Sequence, residues 1–301
     1  MSTTRTQDIA QAIAENHAAM LAGEAMTYVQ AIHPIDCTHP VEMAGVLQGC
    51  RMLGFLEHDA QCVAKAWQAQ TQRTGEFTLS DWPCAPEDFG IAPFPRANAF
   101  PSCPHNMGLY AVLPSADWVQ RMAKAGVPTL QLRFKSSDQQ AIRQEVRAAV
   151  RGIEGTSAML FINDHWQIAM EEGAYGVHLG QEDMDVTPIE RLRAAGLCLG
   201  LSTHGYAEML RADAVSPSYI ALGAVFPTTL KRMQTAPQGI ARLNAYARLM
   251  RHTPLVAIGG IDKSRISLVM QSGVGSIAVV RAITDAPSPE NAAQTLRALM
   301  Y

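Results

Sequence analysis

The stretch MLFINDHWQIAMEEGAYGVHLGQEDM (159–184) decides the fold. A short apolar run from Met159 stops at Asn163-Asp164, and a second, from Gly176, stops at Gln181-Glu182-Asp183. Between them HWQIAMEEG reads as a helix closed by a glycine. A strand, a crossing helix and a strand join in parallel. Both strands therefore deliver a carboxylate, Asp164 and Asp183, at the same end.

The same unit repeats outward in both directions. Apolar runs GLYAVL (108–113) and TLQLRF (129–134) precede MLFIN (159–163) and GVHLG (176–180). LCLGLSTH (197–204), YIALGAVF (219–226), PLVAIGG (254–260) and SIAVVRAI (276–283) follow. Helix starts separate them: Ser137 before DQQAIRQEVRAAVRG, Thr187-Pro188-Ile189-Glu190 with a cap and a first-position proline, Asp262 before KSRISLVMQSG, and Ser288-Pro289-Glu290. Near-continuous apolar strands crossed by helices imply a parallel sheet covered on both faces. Eight such units predict an α/β fold, a (β/α)8 TIM barrel over residues 107–301, with a doubly wound open sheet as the competing arrangement.

The first third reads differently. Residues 1–80 predict a small helical N-terminal module, with helices over about 6–32 and 40–72, the second interrupted at Gly45, Gly49 or Gly54. It shows no site chemistry. Residues 81–106, with six prolines, read as an extended connector. Across all 301 residues, 48% are apolar and 17% charged, as in an ordered globular chain. A net charge of −3 leaves no electrostatic footprint for nucleic acid. The N-terminus is too polar for a signal peptide and no run is long enough to cross a bilayer, so the expectation is a cytoplasmic protein without a membrane partner. The six cysteines lack metal-like spacing and read as free thiols.

In a barrel the site lies at the C-terminal ends of the strands. In TLQLRFK, alternation sets Leu130, Leu132 and Phe134 against the helices and turns Gln131, Arg133 and Lys135 toward the axis. Cations inside a barrel need an acid or a bound anion. Asp164 has two readings, a helix cap or a ligand; Asp183 is a loop acid or a ligand. Together, facing Arg133 and Lys135, they suggest a Mg²⁺ site beside a polyphosphate. Gly259-Gly260 and Val280-Arg281, after strands seven and eight, read as a second anion site where backbone amides approach closely, or the glycine pair simply as a turn. Residues 227–239, with Thr228 and Lys231, read as a lid or an inert loop. Ser202 stands at the tip of strand five, and His178 reads equally well as a core histidine.

At these residues the sequence resembles thiamine phosphate synthase. The resemblance runs from about Gly108 to Met300 through QLRFK, FINDHW, GVHLGQEDM, LGLSTH, YIALGAVFPTTLK, APQG, VAIGGI and GSIAVVRAI. It implies an enzyme, a transferase of thiamine biosynthesis, that joins an aminopyrimidine methyl diphosphate to a thiazole phosphate and releases pyrophosphate, dissociatively and with Mg²⁺. By resemblance, Gln131, Arg133 and Lys135 bind the diphosphate substrate with Asn163 and Lys231, and Arg133, Lys135 and Lys231 act in catalysis. Asp164 and Asp183 hold Mg²⁺; Ser202 and Gln181 contact the pyrimidine side. Thr228, Gly259, Gly260 and the amides at Val280 and Arg281 hold the thiazole phosphate. Two positions depart from the family pattern: Leu230 replaces the second lid threonine, and Phe134 replaces an acid. The alternatives are a thiazole tautomerase, which needs no diphosphate site, and a non-catalytic protein that binds thiamine phosphates. Oligomeric state is not set by these patterns.

Overall fold

A computed structural model describes residues 2–21, 39–228 and 236–301. Eight parallel strands close into one barrel in sequence order: β1 (Gly108–Leu113), β2 (Thr129–Leu132), β3 (Met159–Asn163), β4 (Gly176–Leu179), β5 (Cys198–Thr203), β6 (Tyr219–Leu222), β7 (Leu255–Ile258) and β8 (Ser276–Val279). Strand β1 pairs with β8, so no edge is left and the open-sheet alternative is excluded.

Side-chain alternation divides the core in two. Leu109, Ala111, Leu113, Leu130, Leu132, Leu160 and Ile162 face outward to the helices, whereas Tyr110, Val112, Phe161, Tyr219, Ala221, Val256 and Ala278 fill the interior. Interior aromatics are matched by glycines on the neighbouring strand. Gly176 sits in register with Phe161, and Gly200 with Tyr219; a β-carbon at either glycine would overlap the facing ring. The lower end is closed by Met107 and Cys103 of the connector against Cys198. Among the described residues all five cysteines are free.

The outer helices are α4 (Ala116–Lys124), α5 (Gln139–Gly152), α6 (Trp166–Glu171), α7 (Gln181–Val186), α8 (Ile189–Ala194), α9 (Tyr206–Ala214), α10 (Gly239–Leu249), α11 (Ile266–Met270), α12 (Arg281–Thr284) and α13 (Pro289–Ala298). Three helices precede them in the N-terminal region: α1 (Ser2–Leu21), α2 (Val41–Met52) and α3 (Glu57–Thr74). Residues 22–32 of the first expected helix lie outside the described residues. No described helix is long and apolar enough to cross a membrane.

Several boundaries differ from the sequence reading for identifiable reasons. The α5 cap is Asp138, whose carboxylate accepts from Gln140 and Ala141, not Ser137. The cap position of α8 is Pro188, while Thr187 closes α7. Strand β6 stops at Leu222 although the apolar run continues to Phe226; Val225 and Phe226 are buried as loop residues, their amides held by Ile258 and Gly259 carbonyls. Strand β8 likewise gives way to α12. An apolar run marks burial, and a buried loop produces the same signal.

Glycines 45 and 49 do not break α2. Spaced four apart on one face, they admit Ile9 and Ile13 of α1, and the interruption falls at Gly54, in the left-handed region. A methyl group at Gly45 would overlap Ile9, a stiff β-branched side chain. Overpacking costs about 1–3 kcal/mol, against a helix-propensity gain of about 1 kcal/mol for replacing glycine. Gly45→Ala is therefore expected to lower stability by up to about 2 kcal/mol in denaturant unfolding. An unchanged or raised midpoint would show that the α1–α2 contact is looser than this.

Candidate active site

The barrel mouth is built from residues just beyond the strand ends. Gln131 is the last inward-facing residue of β2, buried, with Nε2 donating to the Tyr110 hydroxyl at 2.9 Å. Phe134, although also past the end of β2, packs partly buried against the helix layer, as expected of it. Arg133 and Lys135, however, lie past the end of β2 and are exposed at the rim rather than enclosed by the barrel. Their charges stay hydrated, so the burial cost invoked for them from alternation does not arise.

Asp164 follows β3 with φ of 63°, a left-handed conformation that aspartate tolerates better than most side chains. The helix-cap reading of Asp164 fails: the cap position of α6 is His165, and no side chain caps it. The Asp164 carboxylate turns to its neighbours instead. Oδ2 accepts from Lys135 Nζ at 2.7 Å, and Oδ1 from Asn163 Nδ2 at 2.7 Å. Among the cations at the rim it is Lys135 that holds Asp164. Asp183 lies in the first turn of α7, where Oδ2 accepts from the Gly180 amide at 2.9 Å. Asn163 and His178 are in register, so the two acids follow hydrogen-bonded neighbouring strands at one rim.

Among the described residues no group of three or more His, Cys, Asp or Glu forms a metal cage. Two carboxylates with no nitrogen or sulfur donor fit Mg²⁺, which usually takes one or two acids and completes its shell with water and substrate phosphate. Asp164 Oδ2 is engaged by the Lys135 ammonium at 2.7 Å.

Inside the barrel runs a polar chain that the sequence reading missed. From Gln131 it passes to Tyr110, then Tyr219 (2.7 Å between hydroxyls), then His178 Nδ1 (2.7 Å), and from His178 Nε2 to Ser202 Oγ (2.8 Å). Burial pushes both tyrosine hydroxyls above their ordinary range, so they stay protonated. Burial also lowers the His178 pKa to about 4; Asp164 opposes this and Arg133 adds to it. With His178 neutral and Gln131 Nε2 facing Tyr110, one direction leaves no buried donor unused. Tyr110 donates to Tyr219, Tyr219 to His178 Nδ1, and His178 Nε2–H to Ser202. The Ser202 hydroxyl hydrogen is then not spent on His178, and the side chain is partly exposed. The available signal was a tyrosine on the inward face of each of two strands, since a buried hydroxyl needs a partner.

This arrangement has a pH signature. The unfolded chain binds a proton at His178 near 6.5, the native chain only near 4. Between those values the unfolded state holds more protons, so stability falls as pH drops. The metal-free protein is expected to lose about 2 kcal/mol from this group between pH 7.5 and 5. His178→Gln is expected to lose less over the same range in parallel denaturant titrations; equal losses would place a different group behind the acid sensitivity.

Gln181 is committed to the β5 end: its Nε2 donates to the Ser202 carbonyl at 2.8 Å, and its own carbonyl accepts from Arg211 at 3.0 Å. It fixes Ser202 from behind. At the same mouth, beyond the end of β7, Gly259 (φ 104°) and Gly260 (φ 65°) have a direct structural reason. A β-carbon on Gly259 would lie 2.5 Å from Ala224 Cβ, and one on Gly260 2.5 Å from the Pro227 carbonyl. The pair lets the chain after β6 cross close to the end of β7. Val280 precedes α12, which Arg281 begins, exposed. Thr228 is half-buried on the β6 loop. Lys231, with Thr229 and Leu230, lies outside the described residues.

Comparison with known proteins places this geometry. The thiamine monophosphate synthase family matches residues 109–283. The chain is similar to the thiamine-phosphate synthase of Neisseria meningitidis serogroup B, 51% identical over 200 residues, which cover 66% of this chain and 98% of that one. It is also similar to the Serratia proteamaculans thiamine-phosphate synthase, 50% identical over 188 residues, 62% of this chain and 89% of the relative. Among solved structures, thiamine phosphate pyrophosphorylase from Pyrococcus furiosus superposes with a TM-score of 0.59 at 28% identity, covering 65% of this chain and 96% of that one. The helices before residue 109 lie outside the matched family region. With that match spanning more than half of its length, the chain belongs to the thiamine monophosphate synthase family.

Proposed function

We propose that the chain is a thiamine-phosphate synthase. It joins 4-amino-2-methyl-5-(diphosphooxymethyl)pyrimidine to thiazole phosphate and releases pyrophosphate. The observation that carries this reading is a single rim at the ends of β2 and β3, where Arg133, Lys135, Asn163 and Asp164 gather over a buried polar chain ending at Ser202.

The reaction breaks the bond between the pyrimidine methylene carbon and the diphosphate oxygen, and the electron pair leaves with pyrophosphate. The pyrimidine ring stabilises the resulting carbocation until the thiazole nitrogen supplies its lone pair to the new carbon–nitrogen bond. No protein nucleophile is required. The protein's work is to stabilise a departing anion and align two partners. Arg133 and Lys135, with Asn163 and Lys231, take the diphosphate. Gln131 and the partly exposed Ser202 hydroxyl hold the pyrimidine, and neutral His178 and Gln181 keep Ser202 in place. Asp164 and Asp183 hold Mg²⁺, which when bound offsets diphosphate charge. Thr228, the Gly259-Gly260 turn and the amides at Val280 and Arg281 take the thiazole phosphate. A tautomerase needs no diphosphate site, whereas Arg133 and Lys135 stand exposed at the mouth, and the buried His178 has both ring nitrogens engaged.

Incubating the protein with both substrates and Mg²⁺ tests this directly. Thiamine phosphate and pyrophosphate are expected in equal amounts. A folded protein that yields neither overturns the reading.

A further inference from the structure

Helices α1–α3 pack on the barrel flank formed by α9 and α10, and two buried charges cross the seam in opposite directions. From the barrel, Arg242 of α10 is 5% exposed. Its Nε donates to the Leu21 carbonyl at 3.1 Å and Nη2 to the Leu53 carbonyl at 2.8 Å, and the guanidinium lies 3.9 Å over the Phe55 ring. Leu21 is the last described residue of α1 and Leu53 follows α2, so one cation joins the carbonyls of both helices.

From the other side, Asp59 of α3 is 4% exposed and its Oδ1 accepts from the Ala207 amide at 2.8 Å. Ala207 lies in the first turn of α9, whose cap position is Gly205 and has no side chain to offer. Asp59 supplies the missing cap from a distant part of the chain. The glycine is required by this approach: a β-carbon at Gly205 would overlap the Asp59 carboxylate, whereas its φ of 179° is open to any residue. Trp82 Nε1 donates to the Tyr206 hydroxyl at 3.1 Å, and Phe89 stacks on Tyr206 at 5.2 Å.

Both contacts abut the mouth. Only His204 and Gly205 separate β5, which carries Ser202, from α9. The His204 amide and ring both bond Glu208 of α9, at 2.8 and 2.7 Å. Any shift of the first turn of α9 is thus passed to the end of β5. Arg242 lies one turn beyond Gln238, whose amide bonds the Ala224 carbonyl at 2.8 Å and whose side chain accepts from Tyr246. That contact pins the second stem of the β6 loop.

We infer that α1–α3 brace the mouth, and that Asp59 is a positioning residue: it holds the β5–α9 corner, and through it Ser202, where the pyrimidine substrate is bound. The inference rests on the reading of the chain as a thiamine-phosphate synthase. It converts a region with no site chemistry of its own into part of substrate recognition.

The test compares Asp59→Ala, Asp59→Asn and Trp82→Phe with the wild type in the full-length chain. Asp59→Ala is expected to raise KM for the pyrimidine diphosphate about tenfold, with kcat and the thiazole phosphate KM within about twofold, the pattern of lost uniform binding. Asp59→Asn keeps an oxygen for the Ala207 amide and is expected to restore most of the affinity. Trp82→Phe keeps an aromatic side chain, loses the bond to Tyr206 and is expected to shift the same KM about threefold, which covers the case in which Asp59→Ala fails to fold. Folded variants with wild-type KM values, or with equal rises for both substrates, overturn the inference and reduce the contact to stability alone. Wild-type turnover separately tests the functional reading. Amide exchange across Ala207–Met209 tests the brace whatever the turnover; exchange in Asp59→Ala no faster than wild type overturns it.

Discussion

Arg133→Ala is expected to lower turnover of the pyrimidine diphosphate by about 10²- to 10³-fold, corresponding to about 2.7–4 kcal/mol lost from stabilisation of a developing anion. The guanidinium stands at the rim, exposed, one residue beyond β2, and its backbone is fixed there by the Arg133 amide bonding the Leu113 carbonyl at 2.8 Å. Its field also reaches His178, where it helps keep the ring neutral. Because the side chain is hydrated and outside the packed interior, its removal leaves no cavity and stability should change by less than about 0.5 kcal/mol. The loss should fall on steps that involve the diphosphate, with KM for thiazole phosphate little changed. Arg133→Lys keeps the charge but not the planar fork, so it should recover only part of the rate. Steady-state kinetics with each substrate varied in turn checks this. Equal damage to both substrates would remove Arg133 from the diphosphate side.

Asp164→Asn is expected to slow turnover about 10²-fold at a Mg²⁺ concentration that saturates the wild type, with partial recovery as Mg²⁺ is raised. Asparagine is the informative replacement because residue 164 adopts a positive φ, which asparagine tolerates and alanine does not. Asp164→Ala would mix lost charge with backbone strain. The ion pair with Lys135 is more than half exposed on the lysine side, so its loss costs only about 0–1 kcal/mol of stability. Turnover as a function of Mg²⁺, alongside a denaturant melt, separates the two effects. A variant with unchanged Mg²⁺ dependence would leave Asp164 as an anchor for Lys135 and nothing more.

The barrel was legible because strand periodicity and helix punctuation are local. Residues 159–163 and 108–113 form strands with the bounds that their apolar runs predict. Where the runs overshot, as at Val225-Phe226, burial without ladder pairing was the cause. The rim was legible for the same reason: Asp164 and Asp183 follow adjacent strands by count alone. The orientation of Arg133 and Lys135 was not, because alternation holds only within a strand and β2 ends at Leu132. The interior chain was invisible for a different reason. Tyr110, Tyr219 and His178 come from three strands far apart in sequence, and only closure brings their polar atoms within 2.7 Å. The link from Asp59 to Ala207 is less local still, spanning 148 positions, and no motif announces it.

The central claim is that one rim holds the diphosphate as its Mg²⁺ complex, between the Asp164–Asp183 pair and the Arg133–Lys135 pair. Calorimetric titration of the wild-type protein with pyrophosphate, with and without Mg²⁺, tests it most directly. Binding is expected to be at least tenfold tighter with Mg²⁺, at one pyrophosphate per chain, and Asp164→Asn is expected to erase most of that difference. Pyrophosphate binding that is equally tight without Mg²⁺, or unaffected by Asp164→Asn, would contradict the account.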